Sequence, residues 1–125
     1  MLLQQAAEQT NLNSEEIRAL EKLLKRVKDK YQNVISTIII YGTTLRQGAD
    51  VKRKDLNVLI IMGHKDTDLA RKISEIAENI DKKVTLDPKV ISLEEYCTEA
   101  QYETSFYNKV TQEGIEVYKN AALAS

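Results

Sequence analysis

A chain of 125 residues, 42% of them hydrophobic, is the size of one domain and carries enough apolar material for one modest core. Lysine and arginine (18) nearly balance aspartate and glutamate (19), and the formal charge of −1 argues against a protein that coats nucleic acid non-specifically. Cys97 is the only cysteine, which excludes an internal disulfide and a cysteine-built zinc site, and no apolar run reaches the length of a membrane span.

Residues 1–12 include Leu2 and Leu3 but lack a basic leader and a proper apolar stretch, so they are expected to form a short helix or an arm rather than a signal peptide. A reducing, cytoplasmic setting fits the cysteine usage. Ile17, Leu20, Leu23, Leu24, Val27 and Tyr31 recur at helical spacing and predict a helix over residues 14–31. Asn13 with Glu16 forms the capping-box pattern that would open it. Residues 34–41 are apolar and β-branched, reading as a buried strand that stops at Gly42. A polar stretch follows, with Arg46, Lys52, Arg53 and Lys54 close together; a solvated loop is the plain reading of such a run.

Residues 56–62 form a second strand, apolar on both faces beyond Asn57 and therefore central. Asp66 or Thr67 caps a helix carrying Leu69, Ile73, Ile76 and Ile80 on one face. A third strand lies within residues 83–92, where Val84, Leu86 and Val90 alternate with Lys83, Thr85, Asp87 and Lys89. Pro88 marks it as an edge or a bulge. Ser92 with Glu95 is a second capping box, opening a helix to about Gln101. A last helix begins near Thr104 and stops at Gly114, with Ile115 and Val117 in a short extended piece after it. Together these elements predict a single domain over residues 13–120 and a short tail at 121–125. The fold class is a small α/β (α+β) fold, a mixed sheet flanked by helices.

The chemistry concentrates in residues 42–57. A strand ending in Gly42-Thr43 offers backbone N–H groups and a hydroxyl to a phosphate. Asp55 and Asn57 at i and i+2 share one strand face, while Leu56 and Val58 point into the core. Hard oxygen ligands of this kind suit Mg²⁺ or Mn²⁺, and metal placement with phosphate holding is what nucleotidyl transfer asks of a protein.

Tyr41-Gly42-Thr43-Thr44-Leu45-Arg46 followed by Lys54-Asp55-Leu56-Asn57-Val58-Leu59-Ile60 resembles the minimal nucleotidyltransferase domain of the DNA polymerase β superfamily. The likeness covers most of the chain, including the leading helix and the ending Glu113-Gly114-Ile115-Glu116-Val117-Tyr118. It implies the nucleotidyltransferase fold, with a nucleoside triphosphate as ligand and a divalent cation as cofactor. Gly42, Thr43, Arg46 and Lys54 would be nucleotide-binding residues. Asp55, Asn57 and a third carboxylate, for which Asp87 is the candidate, would be the catalytic and metal-binding set. Asn57 stands where the family carries its second Asp, as in a subgroup with Asp-Ile-Asn. An amide has no charge and cannot bridge two cations, so the cation should be held weakly if at all, and catalysis weakened or lost.

Three functions follow as expectations: a metal-dependent nucleotidyltransferase, a degenerate relative that binds nucleotide without turnover, and a non-catalytic partner-binding module. The last is implied by family members that act beside a helical protein partner in two-protein, antitoxin-like systems. A homodimer contact through Leu2, Leu3 and the apolar residues 121–124 is a further expectation. Plain readings stand beside the sharper ones. Gly42-Thr43 alone is a simple turn, Asp87-Pro88 is turn chemistry, His64 is a solvated loop residue, and Cys97 is a half-buried helix residue. Tyr96, Tyr102, Phe106 and Tyr107 form either a base-stacking surface or, more in keeping with their helical spacing, core or interface.

Overall fold

Asn13 and Glu16 begin the second helix as the capping pattern requires: the Asn13 side chain accepts the Glu16 N–H at 2.8 Å, and the Glu16 carboxylate accepts the Asn13 N–H at 3.0 Å. The same reciprocal pair recurs between Ser92 and Glu95. The computed structural model describes residues 2–42 and 55–120. Its elements are α1 (Leu2–Gln9), α2 (Ser14–Lys30), β1 (Ile35–Tyr41), β2 (Leu56–Met62), α3 (Thr67–Glu78), β3 (Leu86–Ser92), α4 (Leu93–Gln101), α5 (Ser105–Glu113) and β4 (Ile115–Lys119). Asp66 is the residue that caps α3, accepting the Leu69 N–H at 3.0 Å.

The strands form one mixed sheet in the order β3-β2-β1-β4. β1 pairs antiparallel with both β2 and β4, whereas β2 and β3 are parallel. A parallel pair cannot be closed by a hairpin, and α3 supplies the crossover. β2 is apolar on both faces because both are covered. On one face Ile38, Ile40, Val58, Ile60 and Leu86 pack with residues of α1, α2 and α3, including Leu3, Leu20, Leu23, Val27 and Ile73. On the other, Ile39, Leu59 and Ile61 pack with Val110 of α5, flanked by Tyr41, Tyr96 and Phe106. Each fully buried Ile or Leu contributes about 1.5–3 kcal/mol of transfer free energy. The α+β class and helix-flanked sheet expected from the pattern are therefore present.

Several details differ from expectation. Residues 2–9 form a helix whose Leu3 (6% exposed) and Ala6 are core, so Leu3 is closed to a dimer contact. Residues 121–124, the other half of that expectation, lie outside the described residues. Of the two alternatives expected for Pro88 the edge is the one present: β3 is an edge strand, and the register from Leu56↔Leu86 to Met62↔Ser92 runs without a bulge. An edge strand can dispense with one N–H on its solvent side. Cys97 is exposed rather than half-buried. Gly114 ends α5 with φ −77° and ψ 147°, ordinary extended backbone, so its role as a helix stop is not conformational. A Cβ there would lie 2.2 Å from the Val110 carbonyl oxygen and 2.9 Å from Ile39 Cγ2, so the absence of a side chain is what allows α5 to close onto β1. Among the described residues no helix is long and apolar enough to cross a membrane.

Candidate functional site

The end of β1 turns out of the sheet at Gly42, whose φ of +131° suits glycine alone. A Cβ there would stand 3.3 Å from the Asn57 side-chain nitrogen, so the Gly42 backbone lies directly against the Asn57 amide. Tyr41 pairs with Asn57 across β1 and β2, and Asn57 pairs with Asp87 across β2 and β3. Paired residues share a sheet face. The register thus brings Tyr41, Asn57 and Asp87 into one row at the sheet's end, with Gly42 beside it. Asp87 is exposed and Asn57 half-buried, so the row is open to a ligand.

Asp55 lies two residues before Asn57, at the entry to β2, and is exposed. The start of β2 is tied to the segment leading into β3 by the Leu56 N–H, which donates to the Thr85 carbonyl at 3.0 Å. Asp55 also borders a small depression shared with Asn13, Glu15, Lys83 and Thr85, beneath the N-terminus of α2. Of the expected site residues, the fold brings Gly42, Asn57 and Asp87 together and leaves Asp55 adjacent. Thr43, Arg46 and Lys54 lie outside the described residues.

Among the described residues there is no group of three or more His, Cys, Asp or Glu that could hold a metal ion. The oxygen donors at the strand ends are two carboxylates, Asp55 and Asp87, and one amide. Mg²⁺ is commonly held by one or two carboxylates together with water and substrate phosphates. This donor set accordingly fits an ion that arrives with a nucleotide better than one bound in advance.

Three residues at the site were not singled out as site residues from the sequence. Lys89 follows Asp87 at i+2 and shares its face, and its Nζ stands 3.9 Å from the centroid of the Phe106 ring. Phe106 in turn meets Tyr41 edge-on, with centroids 6.0 Å apart and planes at 82°. A cation thus shares the sheet face of the Asp87 carboxylate two residues along β3, with its charge over an aromatic ring of α5. The alternation of Asp87 and Lys89 on the polar side of β3 was the available signal for Lys89. Nothing local in the sequence joins Phe106 to Tyr41. Tyr96 and Phe106 are half-buried against the core of this face, and Tyr96 meets Tyr107 at 5.6 Å with tilted rings, so these three are engaged with one another and with the core rather than forming a free stacking surface. His64 is exposed, as expected of a loop residue.

Burial pushes the Tyr41 phenol above its ordinary value of 10.0, and the negative charge of Asp87 pushes it further. Burial is also the largest cause of the upward shifts of Tyr96 and Tyr118. The phenols are protonated in the folded chain where unfolded ones would ionise. Their contribution to stability is therefore complete below pH 10 and is lost as pH rises through the folded values. Titration of the tyrosinate absorbance should show Tyr41, Tyr96 and Tyr118 ionising above the ordinary value. Asp87→Asn should bring Tyr41 back toward the ordinary value and leave Tyr118 unmoved. An unchanged Tyr41 titration in that variant would separate the two side chains.

A scan of protein-family models and searches of curated proteins and of solved structures give no match to this chain.

Proposed function

We propose that the chain is a nucleotidyltransferase-fold protein of the DNA polymerase β type. It binds a nucleoside triphosphate with a divalent cation, and its transfer activity is weakened or lost because Asn57 replaces an aspartate. The observation that supports this reading is the row of Tyr41, Asn57 and Asp87 across three strands, with Gly42 against the Asn57 amide. Glycine turn, paired polar strand and third carboxylate are the parts that the resemblance requires, and they come from segments far apart in the chain.

In this reading the Gly42-Thr43 turn holds the phosphates, with Arg46 and Lys54 neutralising their charge. Asp55 and Asp87 would hold the cation carried by the triphosphate, Mg²⁺ or Mn²⁺, which supplies charge neutralisation and orientation of the phosphoryl group. The Asn57 amide lies against Gly42 and can donate to a phosphate oxygen, which a carboxylate cannot do. Lys89 adds a positive charge on the same face as Asp87, where the missing carboxylate leaves less to balance a second cation. Binding is favoured by these substitutions more than turnover is.

Titration calorimetry with the common nucleoside triphosphates, with and without Mg²⁺, tests the reading. The wild type should bind at least one of them. Gly42→Ala should weaken that binding by about tenfold or more, since a side chain there strains the turn and displaces Asn57. Absence of binding, or binding indifferent to Gly42→Ala, would overturn it. One observation favours a second reading as a partner-binding module: Tyr102, at the turn between α4 and α5, is 71% exposed and is the one large exposed hydrophobic residue among those described. Tyr102→Ser should abolish partner capture in that case and leave nucleotide binding unchanged.

A further inference from the structure

Arg18, Lys22 and Arg26 recur at intervals of four on α2 and form one exposed row. At 1.5 Å per residue the row is about 12 Å long. Opposite it, α3 and the turn that follows contribute Lys72, Lys82 and Lys83. Two depressions of about 450 and 410 Å³ lie between these elements and share Asn79 and Ile80, so they make one continuous trough. Its acidic lining residues are Glu75 and Asp81. Asp81 is already engaged, bonded to Lys22 at 2.9 Å, which holds its carboxyl below the usual range. Lys83 is 3.9 Å from Glu15. Arg18, Arg26, Lys72 and Lys82 have no ion pair among the described residues. Tyr31, half-buried, lines the trough beside Arg26.

A chain of net charge −1 has no general attraction for polyanions, so a local excess of cations facing one trough sets up a directional one. A stacked strand rises about 3.4 Å per phosphate, so the length of the Arg18–Lys22–Arg26 row faces about three of them. A half-buried aromatic next to a cationic track is the pairing by which single-stranded nucleic acids are held without base readout. A flat anionic bilayer would meet the helix ridges rather than the trough floor, and an acidic peptide has no base to set on Tyr31. We propose that the α2–α3 trough binds a single-stranded nucleic acid through its phosphodiester backbone, with Tyr31 taking one base. The trough lies on the α2–α3 face of the sheet, opposite the α4–α5 face that carries the row of Asn57 and Asp87. Lys83 also borders the depression beside Asp55, but Arg18, Arg26, Tyr31, Lys72 and Lys82 do not, so either site can fail without the other.

The test is fluorescence anisotropy of labelled single-stranded RNA and DNA oligonucleotides titrated with the full chain over a range of salt. Four cations without an ion pair among the described residues, at about 0.7 per charge, give a log–log salt slope near −3. The combined Arg18→Gln, Arg26→Gln, Lys72→Gln, Lys82→Gln variant should bring that slope near zero and weaken low-salt binding by at least about 30-fold. These side chains are exposed, so its thermal unfolding should match the wild type. Tyr31→Leu keeps the apolar packing and should weaken binding about fivefold or more with the slope unchanged. Absence of oligonucleotide binding at low salt, an unaltered slope in the combined variant, or binding of anionic vesicles or acidic peptide in place of the oligonucleotide would each overturn the proposal.

Discussion

Gly114→Ala is expected to lower the unfolding free energy by about 3 kcal/mol, at the upper end of what overpacking usually costs. The position has ordinary backbone angles, so no conformational penalty enters. The cost is steric. The new Cβ would lie 2.2 Å from the Val110 carbonyl oxygen, the acceptor of the Gly114 N–H at 2.7 Å. Relief therefore requires breaking the last bond of α5 or moving Ile115 away from its partner Ile40 on β1. Both routes disturb the small core of Ile39, Leu59, Ile61 and Val110. Urea unfolding should show a lower midpoint with an unchanged slope. A loss under about 0.5 kcal/mol, the scale of ordinary surface substitutions, would mean that α5 and β1 part without resistance. The contrast with Gly42 is informative, because there φ of +131° carries an intrinsic cost of about 1–3 kcal/mol for any other residue.

The elements that local chemistry determines were readable from the sequence. The capping boxes at Asn13 and Ser92 fixed two helix starts, and the apolar continuity of residues 58–62 marked β2 as central before any partner was known. Gly114 was readable as a stop but not for the right reason, since the obstruction is steric, from the Val110 carbonyl one turn back and from Ile39, which is remote in the chain. The candidate site divides along the same line. Asp55 and Asn57 were visible through spacing alone. Asp87 could be proposed from its strand face, but its pairing with Asn57 depends on the β2–β3 register, set by two apolar strands burying the same face. Lys89 was within reach through its place on the polar side of β3, but Phe106 meets it only because α5 packs over the sheet, a tertiary fact with no local signal. Leu3 failed as a surface contact because a helix of only eight residues still found a place in the core through Leu3 and Ala6.

Asn57→Asp separates the roles of amide and carboxylate, and its expected effect on ligand binding is the largest at the site. The variant puts two carboxylates in register on adjacent strands, the introduced one on β2 facing Asp87 on β3, with Asp55 two residues before it. Like charges directly opposite are destabilising by up to about 1 kcal/mol, so the thermal midpoint without metal should fall. Divalent cation then has a third carboxylate to neutralise. Two unit charges 4 Å apart interact by about 4 kcal/mol at an effective dielectric of 20, and exposure of the site reduces that to the order of 1–2 kcal/mol. Mg²⁺ should therefore restore the lost midpoint in the variant and have little effect on the wild type. In nucleotide titrations the variant should bind about tenfold more tightly with Mg²⁺ than the wild type does. Without the metal it should bind less tightly, because a carboxylate faces the phosphates where an amide donated to them. Affinities of the two proteins that cross on addition of Mg²⁺ are the signature of a metal site lost at residue 57. Parallel behaviour with and without the cation would mean that Asn57 never stood in for a ligand, and that the turn at Gly42 binds anions, if it binds them, by backbone alone.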